Sequence, residues 1–441
     1  MNLDKVAVYG LGGIGLGISA AWIRAGYKVI GVDVDKNKIK EINQGNVQHP
    51  DPLVVKTISK AVKKKYFHAI TDGIEASKSS KIKIVAVPLL IKESRPDFTA
   101  IDDAVSKIAK GLKTNDVIIV ETSLPPGTTL NKIKPMLEAI SGLKAEKDFF
   151  LAYSPERVMI EHVVRDIEES YPKIVGGVGP KSTKIVAKLY SKIAKRGVIR
   201  VTNATVAEFE KLVEGVYRDV NIALANELAD LARTLGISFE EARLAANSQP
   251  YSHLHKPGPG VGGICIPVYP RLLMQVAEKL GVRLELTSLA RKMNENRPRD
   301  VVVLVEKAIK QLSSNMPVIT VLGLAFRGGI SDVRNSPSLE VAKMLAKKGY
   351  RVRVFDPYID SSLLKGLGFE VISSFEDVFT GVDVVVIATD HPEFRKLNLH
   401  DIKRLSGKDK IAIVDARDLI ELKDLPSNII YIGIGKPWLK T

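Results

Sequence analysis

The sequence is poor in cysteine and tryptophan and contains no long apolar segment. Cys265 is the only thiol among 441 residues, which excludes a disulfide framework and gives no support to a zinc cluster. The seven histidines show no HExxH spacing, so we expect no metal. No apolar run reaches the roughly 18 residues of a membrane span, and Met1–Lys5 lead straight into an apolar strand. We therefore expect a cytoplasmic protein with no signal peptide and no membrane partner.

Charge is abundant and unbalanced, with 65 basic residues against 50 acidic ones and a net charge of +15. The lysines are spread along the chain without interleaved aromatic residues or a nucleic-acid-binding motif. We therefore predict a solvated basic surface and no nucleic-acid partner. Such a surface favours anionic small substrates. At roughly 150 residues per domain, the length indicates two or three domains.

The N-terminal segment carries a dinucleotide-binding pattern. The apolar strand Val6–Tyr9 leads into a glycine turn with Gly10, Gly12 and Gly15, then a helical stretch, and the next strand ends at Asp33. The fingerprint requires this order, because the glycines let the backbone approach a pyrophosphate at the helix N-terminus. Asp33 can accept hydrogen bonds from a ribose 2′-OH and would repel a 2′-phosphate, which predicts NAD rather than NADP. The alternative is a glycine-rich turn that holds no ligand.

Strands alternate with helical segments on both sides of a helical middle. The first alternation runs through residue 200 and the second begins near Pro317. Apolar residues recur at helical spacing from Ala204 to Leu235, which predicts one helix of about 30 residues. We predict an α/β protein with two Rossmann-like, doubly wound domains joined by a long central helix and a helical middle domain. The predicted domains are 1–203, 204–314 and 315–441.

The central helix also predicts association. Its apolar stripe is longer than one domain needs, so we expect a homodimer or a larger homo-oligomer joined through it.

Four polar side chains outside the glycine turn are candidates for chemistry. Ser123 and Glu156 each follow a predicted strand, at the sheet edge where such folds bind ligands. Lys211 lies on the long helix, and Cys265 lies in a loop rich in glycine and proline. A thiol on an approachable loop, together with a nucleotide cofactor, indicates oxidation through a covalent sulfur adduct. The alternatives are a helix cap for Ser123, a surface acid for Glu156, a solvated lysine for Lys211 and a small buried hydrophobe for Cys265.

Motifs along the whole chain carry a family resemblance. They are Gly10–Gly15, Pro125–Thr129, Ser154–Arg157, Tyr217–Glu227, Gly258–Cys265, Gly323–Phe326, Asp332–Pro337 and Thr389–Phe394. Together they resemble the UDP-sugar 6-dehydrogenases of the UDP-glucose/GDP-mannose dehydrogenase family, NAD-dependent enzymes that convert a sugar CH₂OH into a carboxylate. The Pro-Glu-Arg, Tyr-Arg-Asp-Val-Asn and glycine-rich segments are most similar to the UDP-N-acetylmannosamine and UDP-N-acetylglucosamine branch.

The resemblance implies a role for each candidate. NAD takes a hydride from C6, the Cys265 thiolate attacks the resulting aldehyde, and a second oxidation leaves a thioester that water hydrolyses. Lys211 matches the lysine that stabilises the oxyanion, and Glu156 matches the acid linked to water activation or proton transfer. Ser123 keeps a hydroxyl expected to serve both catalysis and the cofactor, and Arg334 matches an arginine near the cofactor. The implied contacts to a UDP-sugar are Glu156, Arg157, Lys211, Tyr251, Gly262, Arg327 and Arg417.

Four positions depart from the family pattern. Gly215 stands where the family has Asn, Tyr269 where it has Asp, Ile264 where this branch has His, and Tyr251 where an arginine reaches a neighbouring subunit's site. We expect oxidation of UDP-N-acetyl-D-mannosamine to the acid. The alternatives are a single oxidation that ends at the aldehyde, or a paralogue that only binds the nucleotide sugar. A glycine in a helix at 215 also indicates close approach by a bulky group, for which Tyr269 is the candidate.

Overall fold

The computed structural model describes residues 5–92, 95–312, 314, 316–364, 367–422, 425–437 and 439–440. It divides into two compact units, one up to Val213 and one from Glu214. Met1–Asp4 lie outside the described residues, as does residue 315, where the third predicted domain begins.

Strands and helices alternate through the first unit. Its strands are β1 Lys5–Tyr9, β2 Lys28–Val32, β3 Phe67–Ile70, β4 Ile82–Val85, β5 Leu90–Lys92, β6 Arg95–Asp97, β7 Val117–Val120, β8 Phe150–Tyr153, β9 Lys173–Gly177 and β10 Val198–Arg200. Its α-helices are α1 Gly13–Arg24, α2 Lys36–Asn43, α3 Pro52–Lys63, α4 Gly73–Ser79, α5 Thr99–Gly111, α6 Lys134–Ser141, α7 Val163–Arg165 and α8 Pro180–Tyr190. Short π or 3-10 turns lie at Thr129–Ile133, Ile160–His162 and Asp166–Ser170.

The sheet of the first unit has a switch point beside the glycine turn. Within the described ranges, eight strands pair in the order β3-β2-β1-β4-β7-β8-β9-β10, and β5 pairs with β6 in a separate hairpin. Neighbouring strands are parallel except β8 and β9. The strand order reverses between β1 and β4, which opens a crevice at their carboxyl ends. Apolar strand residues are buried on both faces, as helices on either side of such a sheet require.

A helical region and a second sheet make up the rest of the chain. The helices are α9 Ala204–Leu235, α10 Phe239–Ala246, α11 Tyr269–Lys279, α12 Glu285–Ile309, α13 Pro337–Lys347 and α14 Leu399–Ser406. The strands are β11 Val318–Leu322, β12 Arg351–Phe355, β13 Glu370–Val371, β14 Val384–Ile387, β15 Ile411–Asp415, β16 Ile429–Gly433 and β17 Leu439–Lys440. Short 3-10 turns lie at Ser361–Leu364, Asp377–Phe379 and Pro392–Lys396.

The second sheet repeats the topology of the first. Its order is β13-β12-β11-β14-β15-β16-β17, and its strands are parallel except for the pair β16 and β17. The order reverses between β11 and β14, so this half also has a crevice at its strand ends. The predicted α/β class with two Rossmann-like halves is confirmed. The predicted long helix is confirmed too, because α9 runs for 32 residues and ends before Gly236, whose φ is +75°.

None of the helices in the described ranges combines the length and the apolar character needed to cross a membrane.

Candidate active site

The glycine turn has the geometry that a pyrophosphate needs. Gly10 follows β1 with a φ of +96°, and a Cβ there would lie 2.8 Å from the Ala86 carbonyl oxygen. A Cβ on Gly15 would lie 1.8 Å from the Gly10 carbonyl oxygen, so α1 packs directly on the turn. Gly12 precedes α1 and supplies no side-chain cap, and a Cβ there would meet open space. The first N–H groups of α1 therefore remain available to an anion.

Asp33 lies at the end of β2 and is held as a carboxylate. It accepts hydrogen bonds from Leu11 N at 2.9 Å and from Asp35 N at 3.0 Å. Lys38 Nζ lies 3.1 Å from the same carboxylate. Burial alone raises the pKa of Asp33, but these hydrogen bonds and Lys38 outweigh it and hold the pKa below its ordinary value. Lys38, which places a cation beside the acid, was not predicted from the sequence.

The loop that carries Ser123 is tied down by an acid that the sequence did not single out. Glu208, buried near the start of α9, accepts hydrogen bonds from Gly127 N at 2.6 Å and Thr129 N at 2.7 Å. The Thr129 hydroxyl donates to it at 2.6 Å. Burial raises the pKa of Glu208 to about 7 against these hydrogen bonds. The helical spacing of apolar residues does not predict that Glu208 accepts these hydrogen bonds, because Gly127 and Thr129 lie about 80 residues away.

Glu156 is buried, so its alternative interpretation as a surface acid is wrong. Lys173 donates to Glu156 Oε1 at 2.5 Å, and Lys173 Nζ lies 3.8 Å from Glu121 Oε2. Its neighbour Arg157 lies over the Tyr171 ring at 4.9 Å. Arg157 also donates to the carbonyl oxygen of Pro172, the residue after Tyr171, and lies 3.8 Å from Glu210 Oε1. The acid and the arginine predicted for the substrate thus lie together in the first unit.

Cys265 is exposed, which rules out the interpretation as a small buried hydrophobe. Its carbonyl oxygen accepts hydrogen bonds from Val268 N at 3.0 Å and Tyr269 N at 2.9 Å. The thiol therefore lies one turn ahead of α11. This loop is held to the segment before α13, because Gly263 N donates to the Arg334 carbonyl oxygen at 3.0 Å.

The same segment forms the wall behind the cysteine loop. Asn335, with a φ of +50°, donates to the Gly263 carbonyl oxygen at 2.9 Å. A Cβ on Gly262 would lie 2.5 Å from the Phe326 Cβ, so only glycine fits against this wall. Packing inside the protein therefore requires glycine at 262, independently of any ligand.

Arg334 lies in the second unit, as Cys265 does. Its guanidinium forms a bidentate pair with Asp332, with an Nε–Oδ1 distance of 2.9 Å and an Nη2–Oδ2 distance of 2.5 Å. The hydrogen bond that it donates to Asp332 is the main cause of its raised pKa, and Cys265 contributes a smaller electrostatic effect. The side chain predicted to contact the cofactor is thus oriented by Asp332.

The start of the cysteine loop is fixed by buried polar residues of α9 and α12. Asn226 Oδ1 accepts from Gly258 N at 2.8 Å, and Arg297 Nε donates to the Gly258 carbonyl oxygen at 3.3 Å. Asp219 accepts from Arg291 at 2.7 Å and from Asn294 at 2.8 Å. The Tyr-Arg-Asp-Val-Asn motif and the asparagine that follows it therefore support the loop. The motif is visible in the sequence, but its partners are not, because they lie up to 75 residues away.

Gly215 and Tyr269 are in direct contact. A Cβ on Gly215 would lie 2.5 Å from Tyr269 Cδ2 and 3.1 Å from Tyr269 Cβ. The expectation of a bulky neighbour at this glycine is confirmed, and the two departures from the family pattern are one coupled change in packing. The other two departures, Tyr251 and Ile264, are 95 % and 50 % exposed.

Polar side chains at the strand ends of the second sheet are bonded to neighbouring loops. Arg417, after β15, donates to the carbonyl oxygens of Ala388 and Phe326, both at 3.0 Å. Asp356, after β12, accepts from Leu324 N at 2.7 Å and lies 3.1 Å from the His391 ring. Arg327 is half-buried on the loop that follows β11.

The fold and these residues define an NAD-dependent nucleotide-sugar dehydrogenase. Three family descriptions match the chain in order: the NAD binding domain at 4–194, the central domain at 205–296 and the UDP binding domain at 320–422. The chain therefore belongs to the UDP-glucose/GDP-mannose dehydrogenase family.

Relatives match along almost the whole chain. The UDP-N-acetyl-D-mannosamine dehydrogenase of Pyrococcus horikoshii is 37 % identical over 435 residues, which are 98 % of this chain and 99 % of the relative. The NDP-N-acetyl-D-galactosaminuronic acid dehydrogenase of Ralstonia nicotianae is 33 % identical over 96 % of this chain and 98 % of its own. The solved structure of the Pyrococcus horikoshii UDP-D-ManNAc dehydrogenase has a TM-score of 0.89 at 35 % identity, covering 98 % of this chain and 99 % of that one.

Proposed function

We propose that this enzyme oxidises UDP-N-acetyl-D-mannosamine at C6 to the uronic acid through a covalent intermediate on Cys265. The observation that carries the proposal is the exposed thiol on a loop held from both ends, in a chain with a dinucleotide turn. The 37 % identity with the Pyrococcus horikoshii enzyme supports this choice of sugar.

The residues that would hold NAD are the turn glycines, Asp33, Ser123 and Arg334. Bound NAD supplies the hydride acceptor for both oxidations. Asp33 is a carboxylate with two backbone donors and a lysine around it, and it can accept from a ribose hydroxyl through its remaining lone pairs.

The proposed chemistry on this chain's side chains has three parts. The Cys265 thiolate adds to the aldehyde carbon, while Lys211 stabilises the negative oxygen that forms. Oxidation of this thiohemiacetal gives the thioester. Glu156 takes a proton from the water that attacks the thioester, and the sulfur leaves as the acid is released. We further propose that Arg157, Tyr251, Gly262, Arg327 and Arg417 contact the UDP-sugar.

One experiment separates this proposal from its alternatives. Purified protein with NAD and UDP-N-acetyl-D-mannosamine should yield two NADH per sugar and the uronic acid. One NADH per sugar would show oxidation that stops at the aldehyde, and sugar binding without NADH would show a binding paralogue. The contact between Gly215 and Tyr269 is the observation that keeps these alternatives open, because two polar side chains of the family are absent there. Cys265→Ser should block acid formation and leave NAD affinity unchanged.

We also propose a homodimer or larger homo-oligomer joined through α9. Tyr217, Leu224, Leu231 and Leu235 recur along this helix at seven- or four-residue steps and are 40–63 % exposed. A row of large apolar side chains in water indicates a covered surface. Light scattering should show a dimer or larger species at micromolar concentration, and Leu224→Glu with Leu231→Glu should dissociate it. A wild-type monomer would contradict the proposal.

The three-domain division at 203/204 and 314/315 is likewise a proposal, supported by the three matched family domains. The cytoplasmic location stays a prediction from the sequence.

A further inference from the structure

Glu156 belongs to a buried cluster of two acids and one lysine. Lys173 is 5 % exposed, donates to Glu156 Oε1 at 2.5 Å and lies 4.8 Å from the centre of the Tyr190 ring. It also lies 3.8 Å from Glu121 Oε2 and donates to the Pro155 carbonyl oxygen at 3.2 Å. All these contacts lie within the first unit.

The antiparallel strand of the first sheet creates this cluster. Because β9 runs against β8 with Tyr153 opposite Gly176, the register continued for three residues brings Glu156 opposite Lys173. Glu121 follows β7, which is the other neighbour of β8. The backbone therefore fixes which lysine meets which acid.

One ammonium group neutralises only one of the two carboxylates. The Glu121 side chain is 1 % exposed, and neither of its oxygens accepts from a donor in the part of the chain that the structure describes. A second carboxylate charge, left without a partner at this depth, is strongly disfavoured. Burial raises the pKa of Glu121 well above its ordinary value, Lys173 opposes this, and Glu156 adds to the rise. Once protonated, Glu121 can donate its O–H to the neighbouring Glu156 carboxylate, and this interaction is one cause of its raised pKa.

We propose that Glu121, as a neutral acid, and Lys173 are positioning residues that hold the Glu156 carboxylate in one orientation. The inference rests on the proposed function, in which Glu156 takes the proton of the hydrolytic water. Glu156 and Lys173 also line a small cleft with Pro155, Arg157 and Tyr171, which gives water a route to the carboxylate.

The other charged groups near Glu156 are engaged elsewhere. Arg157 and Asp166 face the same cleft. Arg157 lies beside Glu210, and Asp166 accepts from Ser170 at 2.7 Å. Removal of Lys173 therefore takes away the cation closest to Glu156. The carboxylate should then lose its fixed orientation, and hydrolysis of the thioester should slow.

The test compares Lys173→Met, Glu121→Gln and Glu121→Leu with wild type in the full-length enzyme, using UDP-N-acetyl-D-mannosamine and NAD. Lys173→Met should release the first two NADH normally and then turn over at least about tenfold more slowly, because hydrolysis alone depends on Glu156. Mass spectrometry should find the acyl group on Cys265 in this variant. Glu121→Gln keeps a neutral donor and should be slowed far less than Glu121→Leu. Infrared spectra should lose the band of a buried protonated carboxyl in Glu121→Gln.

Lys83→Met is the matched control. Lys83 is fully buried and pairs with Asp116 at 2.5 Å, near the amino-terminal ends of the central strands β4 and β7 of the same sheet. Its loss should lower stability without accumulation of the acyl-enzyme.

The outcomes distinguish the two claims. No NADH from wild-type protein overturns the proposed function. Wild-type turnover with the same kinetic loss in Lys83→Met and Lys173→Met, and no acyl-enzyme, overturns the positioning role. Glu121→Gln as slow as Glu121→Leu also overturns it, and this pair decides the matter if Lys173→Met does not fold.

Discussion

Residue 215 should respond to substitution with opposite signs in two backgrounds. In the wild-type protein, Gly215→Ala or Gly215→Asn should destabilise the second unit. When Tyr269 is replaced by a small residue, the same change at 215 should stabilise it. The reason is that the Tyr269 ring fills the space that a side chain at 215 needs.

The structure sets the magnitude. A Cβ at Gly215 would lie 2.5, 3.1 and 3.2 Å from the Cδ2, Cβ and Cγ atoms of Tyr269, well inside the usual carbon–carbon contact of about 3.5 Å. These atoms are near the root of a buried side chain, so they cannot swing away, and we expect an overpacking cost of about 3 kcal/mol. Alanine in place of a helical glycine contributes about 1 kcal/mol. The net loss is about 2 kcal/mol in wild type, against a gain of about 1 kcal/mol beside a small residue 269.

The assay is urea unfolding of four proteins: wild type, Gly215→Ala, Tyr269→Ala and the double variant. The coupling between the two positions should be about 3 kcal/mol. Tyr269→Ala alone is the matched control, because it carries the loss of the buried ring without any change at 215. Stabilisation of the wild-type background by Gly215→Ala would refute the packing argument.

The contact between Gly215 and Tyr269 also bears on turnover, because both positions depart from the family pattern. On the proposed function, we expect each absent polar partner to cost about 2–4 kcal/mol of transition-state stabilisation, or about a hundred- to a thousandfold in rate. Gly215→Asn together with Tyr269→Asp should therefore raise turnover more than either change alone. Brisk wild-type turnover of UDP-N-acetyl-D-mannosamine would show that the site has compensated for both departures.

Three further predictions concern the first unit. NAD should bind more tightly than NADP in a cofactor titration, and Lys38→Glu should widen the difference because it removes the cation beside Asp33. Gly15→Ala should abolish NAD binding in the same titration, since its Cβ would overlap the Gly10 carbonyl oxygen. Gly26→Ala strains the backbone at its φ of +95°, but its Cβ meets open space, so it should leave NAD binding intact. With its pKa raised from 4.5 to about 7 in the folded state, Glu208 binds more protons there than in the unfolded chain, so its contribution to stability should fall as pH rises through this range. Urea midpoints of Glu208→Gln should lack this part of the pH dependence, and equal slopes in both proteins would contradict it.

Local sequence patterns predicted the fold, but they could not predict contacts between side chains that are distant in the sequence. The glycine turn and α9 follow from residues close together in the sequence, and both are where the pattern puts them. The pairing of Glu156 with Lys173 depends on β9 running antiparallel, whereas a doubly wound pattern leads one to expect a parallel neighbour. Glu208 likewise reads as one polar residue on an amphipathic helix. Its function as an acceptor for the turn after Ser123 depends on a contact that no local periodicity encodes.

The two acids that end the second strand of each sheet show why a motif needs its surroundings. Asp33 and Asp356 hold equivalent places, and each accepts from the loop after the first strand. Asp356 is also bonded by the buried His391, whose other ring nitrogen accepts from Gly329 N at 3.1 Å, so its carboxylate is committed to holding its own loop. Asp33 has instead the half-exposed Lys38, a partner that a ribose hydroxyl can displace. In the second sheet, the strand-end acid Asp356 therefore stabilises its own loop. Any nucleotide in that crevice must be recognised by other groups.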